Sequence, residues 1–301
     1  MEHLNNAQTM VLQDIITVFL SIFIEALPFI VFGVLISSLL HIFVKSEQIL
    51  ATLPKNKFLQ NIIMSFLGVF FPVCECGNIP VARKLIQKNL PPSAAISFLL
   101  AAPVLNPIVI IATIIAFPDN PEIIWGRIGL SFMIAIIVGF IFSFATKDEI
   151  LIKSIQVNKT CDHHHRGKKL HAFSEHFIGE LSTMAGILVF GAGIAAASQN
   201  LIPKEFMVSV AENPFLAICS MMLLAFIISI CSTTDAFFAL AYAHQFTSPA
   251  LLAFLVFGPM IDIKSLLLMQ RIFKIKALIY LVLLVFGLVL FSTLLMTHLT
   301  L

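Results

Sequence analysis

In the stretch from Phe70 to Lys84, FFPVCECGNIPVARK, Cys74 and Cys76 flank Glu75 and are followed by Gly77 and Asn78, with Pro72 and Pro80 on either side. Thiols are soft ligands, and a carboxylate beside them adds a charged oxygen donor. In an extended turn Cys74 and Cys76 project to the same side, so the two sulfurs could face one solute. A second polar cluster, CSTTD from Cys231 to Asp235, lies in the other half of the chain, and Cys231 would complete a three-sulfur site if the two clusters met. The alternative for a cysteine in an apolar segment is packing as a small hydrophobe, and that is the reading for Cys219.

Ionisable groups among apolar residues are costly and mark a pathway, which makes Asp235, Asp262, Glu75 and Glu25 candidates for substrate or coupling roles. For Glu25 and Asp262 the competing readings are snorkelling to an interface and capping a broken helix. Asn106, between Pro103 and Pro107, suits freed backbone groups and is also a candidate for facing substrate. The run Ser232–Asp235 suits a helix N-cap that turns a positive dipole end toward a cavity.

The elements that must position these residues are membrane helices. The chain has 301 residues, 59% hydrophobic and 11% charged, with a mean hydropathy of +1.01, far more apolar than a soluble domain. Apolar runs near 10–44, 58–82, 90–117, 125–146, 176–200, 214–242, 248–270 and 277–298 each approach the length that crosses a bilayer. The first run begins with Glu2, carries no Lys or Arg and lacks a small-residue cleavage site, so it is expected to remain in the protein. Lipid bilayer is thus the first expected partner; nucleic acid is not expected. No G-x-x-x-x-G-K-[ST] loop is present, which argues against an ATP-driven pump within this chain. No cofactor is expected. Five cysteines do not suggest a disulfide framework.

The polar segment from Thr146 to His176 divides the chain, giving an expected organisation of 1–146, a first transmembrane repeat; 147–175, a polar cytoplasmic linker; and 176–301, a second repeat. Its Cys161, His163, His164 and His165 are metal-ligand types without a second spaced pair, so a solvated loop is expected, with weak, exchangeable metal binding as the alternative. Each half places Phe-Gly in a long helix (Phe32-Gly33, Phe190-Gly191), then a cysteine-bearing interruption, then a proline-broken helix. Cys76 precedes Pro103 by 27 residues and Cys231 precedes Pro259 by 28, and each proline is followed three positions on by Asn106 or Asp262. This pattern suggests duplication, as in many transporters. Pro72, Gly77, Pro80, Pro103, Pro107 and Pro259 are the expected helix breakers.

Charge selects the topology. Eight crossings divide the 18 Lys and Arg nine to nine; if 58–88 and 214–246 instead dip in and return, the split becomes sixteen to two, with Arg127 and Lys204 outside. The expectation is an all-α integral membrane protein of two inverted halves, about six crossing helices plus two re-entrant hairpins, with eight crossing helices as the alternative. Polar hairpin tips at membrane depth are tolerated where protein or a water-filled cavity satisfies the backbone.

The block FPVCECGNIPVARKL…PPSAAISFLLAAPVLNPIVI resembles the bacterial permease family that includes YraQ-like proteins and the ArsP organoarsenical efflux permeases. The resemblance covers nearly the whole chain, and C-x-C-G followed by P-x-x-N-P carries it. It implies a multi-pass permease of the bacterial plasma membrane, a secondary exporter of a small thiophilic solute such as a trivalent organoarsenical, not an enzyme. It also implies eight transmembrane segments, thiol roles for Cys74 and Cys76, and, for some members, a second membrane subunit. Two other readings stand beside it: the membrane subunit of a multi-component permease for another ion or sulfur species, and an intramembrane thiol redox protein.

Overall fold

The structure, a computed structural model, describes residues 2–43, 54, 56–70, 74–152, 169–199 and 213–300. Among them there are only helices and connections, apart from one isolated antiparallel bridge between Leu151 and Phe273. In chain order the helices are α1 (Glu2–Phe43), α2 (Lys57–Val69), α3 (Glu75–Gln87), α4 (Pro92–Leu105), α5 (Pro107–Ala116), α6 (Pro121–Phe142) and α7 (Lys147–Ile150). They continue as α8 (Lys169–Gln199), α9 (Pro214–Ile228), α10 (Asp235–Leu240), α11 (Ser248–Met260), α12 (Ile263–Met269) and α13 (Ile275–Thr300). Among the described residues six spans are long and apolar enough to cross a membrane: Gln13–Leu39, Pro92–Ala116, Pro121–Phe142, Phe177–Ala197, Ser248–Met269 and Ile275–His298. The segments α2–α3 and α9–α10 are the other two apolar regions, and each is a helix, a break and a second helix.

Contacts between helices show that both of these segments return to the side they enter from. Asn61 of α2 and Ser97 of α4 meet at Gly139 of α6, and further along Gly68 of α2 meets Ala102 of α4, so α2 and α4 run in the same direction. Only a return by α3 can bring the chain from the end of α2 to the start of α4. In the second half Ala225 of α9 packs on Gly258 of α11, and Ser229 Oγ accepts from Ile263 N, so α9 runs parallel to α11–α12 and α10 makes the return. The hairpins enter from opposite faces. Lys57 at the start of α2 donates to the Ser143 carbonyl at the end of α6, whereas Gly126 near the start of α6 packs on Leu252 near the start of α11. Six crossings therefore replace the eight segments that the family resemblance implies: α3 and α10 are too short to complete a second passage.

Element order repeats across the halves: long helix, hairpin, interrupted helix, long helix. The return arm α3 packs on α12 of the other half, and α10 packs on α5, a reciprocal exchange. Lys57, Lys84, Lys88, Lys147, Arg271, Lys274 and Lys276 all gather at the face where α6 ends and α13 begins. There Ile152 N donates to Ile272 O, Lys274 N donates to Ile150 O, and Lys274 Nζ donates to the Asp148 carbonyl.

The breaks are built by capping more than by proline. Asn106 Oδ1 accepts from Ile108 N at 2.9 Å and starts α5, with Pro107 at its first position, where a missing N–H costs nothing. Asp262 Oδ1 accepts from Ser265 N at 2.6 Å and starts α12. Pro80, Pro103 and Pro259 do not break their helices as expected; they lie inside α3, α4 and α11, and the interruptions open three residues after Pro103 and Pro259, at the capping residues. A proline removes one backbone bond and strains the preceding turn, but a helix ends only where the following chain has another way to satisfy its groups. Gly77 likewise lies within α3, where it serves packing. A Cβ on Gly33 of α1 would sit 2.1 Å from the Gly77 carbonyl oxygen, so the two backbones touch. Pro72 and the cluster Cys161, His163, His164 and His165 lie outside the described residues.

A candidate thiol and carboxylate site between opposed hairpins

Because the hairpins enter from opposite faces, their tips meet inside the protein. Cys74 is the N-cap of α3, Glu75 its first residue and Cys76 its second, while Cys231 follows the end of α9, where Ser229 adopts a left-handed conformation with φ 51°. The Cys74 and Cys231 sulfurs and a Glu75 carboxylate oxygen lie within 4.8 Å of one another. Cys76 lies within electrostatic range of Glu75 and Lys264, and Thr233 Oγ1 donates to Cys231 Sγ at 3.5 Å. All three thiols are free and buried. Two soft donors and one carboxylate at this spacing would need only a small contraction to close on a single thiophilic centre.

A lysine completes the cluster. Lys264, on α12, is 2% exposed and places Nζ 3.5 Å from Glu75 Oε1 and 3.6 Å from Asp262 Oδ2. Glu75 Oε2 is buried and accepts no hydrogen bond from the described residues. Lys264 is not among the candidates expected from sequence, where it counts only toward the charge of one face; its position two residues after Asp262 in the apolar run VFGPMIDIKSLLLM is the available signal.

A second buried ion pair ties the other hairpin. Asp235, the first residue of α10, accepts from Arg127 Nη2 at 2.6 Å, and Arg127 Nη1 donates to Thr113 Oγ1 at 2.8 Å. Arg127 is 1% exposed, inside α6, not the outer loop charge that the charge division assumed. Thus Glu75 and Asp235, each opening a return arm, are paired with a cation of the other half. Glu25 of α1 accepts from Thr234 Oγ1 at 3.1 Å at the second tip. Thr234 Oγ1 shares that one proton with the Cys231 carbonyl, also at 3.1 Å, and its side chain accepts no capping bond from α10.

Of the residues expected from sequence, the fold brings Cys74, Cys76, Glu75, Cys231 and Asp262 into one cluster and sets Asp235 and Glu25 beside the second tip. Asn106 is buried but its Oδ1 is committed to capping α5. Cys219 is partly exposed on α9, apart from the thiol cluster.

The family described as a predicted permease, ArsP_1, matches residues 11–298. The chain is 39% identical over 259 residues to "UPF0718 protein YcgR" of Bacillus subtilis (strain 168), covering 86% of this chain and 88% of that protein. It is 36% identical over 274 residues to the "Putative two-component membrane permease complex subunit" of Streptococcus mutans serotype c, covering 90% of this chain and 91% of that one. No solved structure matches.

Proposed function

The chain belongs to the ArsP_1 family of predicted permeases, and from that premise we propose that it is a secondary exporter of a small thiophilic solute, of the class of trivalent organoarsenicals, held between the hairpin tips. The observation that carries the reading is the enclosed grouping of the Cys74 and Cys231 sulfurs with a Glu75 oxygen within 4.8 Å. A soft electrophilic centre gains most from sulfur donors, and burial excludes competing water. The site is contributed by both halves, so moving one half against the other would open it to one face at a time, as in transporters built from repeats. Under this reading the halves, 1–146 and 176–301, arose by duplication, and 147–175 joins them on the cytoplasmic side.

The test is uptake of a trivalent organoarsenical into everted membrane vesicles, normalised to folded protein. Cys74→Ser and Cys231→Ser should lower the rate by about tenfold or more, Cys76→Ser by less, and Cys219→Ser should match wild type, because a hydroxyl is a harder and weaker ligand than a thiolate. Wild-type rates from both Cys74→Ser and Cys231→Ser would remove the thiols from the mechanism. A second reading draws on the name of the Streptococcus mutans relative, a complex subunit. In that case proteoliposomes containing this chain alone would not transport, while vesicles from the native host would.

A further inference from the structure

The two buried ion pairs that join hairpin tips to the opposite half differ in a way that points to different jobs. Arg127 and Asp235 approach to 2.6 Å, and Arg127 is held in addition by Thr113. That is the short geometry of a charge-assisted bond. Lys264 reaches Glu75 only at 3.5 Å and Asp262 at 3.6 Å, beyond the usual length of such bonds. The same Glu75 carboxylate belongs to the group with the Cys74 and Cys231 sulfurs, and its Oε2 accepts no hydrogen bond from the described residues. One carboxylate thus faces both a loosely held ammonium and a pair of thiols.

We propose that Lys264 is a tethered occupant of the site, and that a soft divalent cation or an equivalent electrophilic centre, coordinated by Cys74, Glu75 and Cys231, displaces its ammonium from Glu75. The inference rests on the thiol site proposed above and adds its charge selectivity and its link to motion. Binding of a divalent ion by two thiols releases two protons to water and forms two thiolate bonds and one carboxylate bond to the ion. Lys264 keeps its charge and remains on Asp262. The thiolate charges cancel those of the ion, so the buried cluster carries the same net charge full as empty, and occupancy adds no uncompensated buried charge. An anion would instead meet two carboxylates with only one lysine to receive it. Because Lys264 is on α12 and Glu75 on α3, displacement also releases the tie between α3 and α12, while the bound centre links α3 to the second hairpin through Cys231, so occupancy exchanges one contact between the halves for another. A ligand can shift such an equilibrium only by contacts that differ between its states, and the Glu75 carboxylate is that contact.

The experiment titrates the full-length protein in lipid nanodiscs with Cd2+ and follows the thiolate-to-metal ultraviolet band. Wild type should show a saturable band that Cys74→Ser or Cys231→Ser removes. Lys264→Met should tighten Cd2+ about tenfold, since the apparent affinity rises once the competing occupant is gone, and Lys264→Arg should stay within about threefold of wild type. Hydrogen exchange in 263–269 should rise on adding Cd2+ to wild type and not to Glu75→Gln. Lack of a Cys74- and Cys231-dependent band would sink the thiol site itself. A normal wild-type band with unchanged or weaker binding in Lys264→Met would leave the thiol site standing and overturn the displacement. Should Lys264→Met fail to fold, Glu75→Gln is compared with Glu75→Gln/Lys264→Met, which removes both charges of the pair. Affinities equal within about threefold support competition at Glu75, and a larger difference overturns it. Thiosulfate serves as the anionic probe: if Lys264→Met abolishes its binding where wild type binds it, the site is one for anions and the proposal fails.

Discussion

Glu75 and Asp235 occupy corresponding positions, each the first residue of a return arm, yet their partners are a lysine at 3.5 Å and an arginine at 2.6 Å. Removing one member of a buried pair leaves the other without compensation, whereas replacing both with apolar groups of similar size is far better tolerated. Arg127→Met or Asp235→Asn alone should therefore destabilise the protein by about 3–5 kcal/mol, and Arg127→Met/Asp235→Leu should recover most of that loss. Thermal unfolding in detergent across the double-mutant cycle measures it, and additive single and double losses would show that the pair does not act as a unit. At this scale the sequence was informative about type and incomplete about partners. Cys74, Glu75, Asp235 and Asp262 stood out because polar groups within apolar runs need a reason, while Arg127 and Lys264 were counted with the loop charges, since long cationic side chains commonly snorkel to an interface. Their burial depends on acids that lie 108 and 189 residues away in the chain.

The two Phe-Gly pairs, similar in sequence, do different work in the helices that carry them. Gly33 of α1 lies against the Gly77 backbone of α3, where an added Cβ would come to 2.1 Å from a carbonyl oxygen. Gly191 of α8 has Leu267 Cδ1 at 3.4 Å and the Lys264 Cα at 3.5 Å from the same virtual atom, an ordinary contact distance. Gly33→Ala should cost about 1–3 kcal/mol, because backbone rather than a flexible side chain must give way, while Gly191→Ala should change stability by well under 1 kcal/mol. Unfolding midpoints of the two variants in the same detergent provide the comparison; equal shifts would refute the close approach as the cause. Helix existence and the interruptions near Asn106 and Asp262 were legible, since apolar length and capping residues are local properties. Which glycine must be a glycine was not, because it depends on the distance to another helix.

For the whole molecule, hairpin re-entry places the start of α2 and the end of α3 on one side, and the start of α9 and the end of its hairpin on the other. Positively charged residues favour the cytoplasmic side of a bacterial membrane, which assigns the basic face inward. In a cysteine-free background, cysteines introduced at Lys57 and Lys88 should both be labelled by an impermeant maleimide only from the cytoplasm. Those at Asn213 and Gln245, both exposed in the structure, should be labelled only from outside. Opposite-side labelling of Lys57 and Lys88 would restore eight crossings. Removing Arg127 and Lys264 from the charge division takes one residue from each side of it, leaving fifteen against Lys204 alone, so the assignment is sharpened by the burial of two cations.

The amino-acid sequence by itself determined that this is a multi-pass membrane protein with two polar interruptions in its apolar runs, and its charge favoured six crossings with two hairpins over eight crossings. Those properties follow from the length of apolar runs, the cost of burying backbone groups and the distribution of charge, all of which are summed along the chain. Tertiary structure alone decided that Cys74 and Glu75 meet Cys231, that Lys264 enters their cluster, and that Arg127 turns inward to Asp235. Each of these is a pairing of a hairpin tip with a residue of the opposite half, and a pairing depends on the packing of two helices against each other, a quantity to which no local stretch of sequence has access.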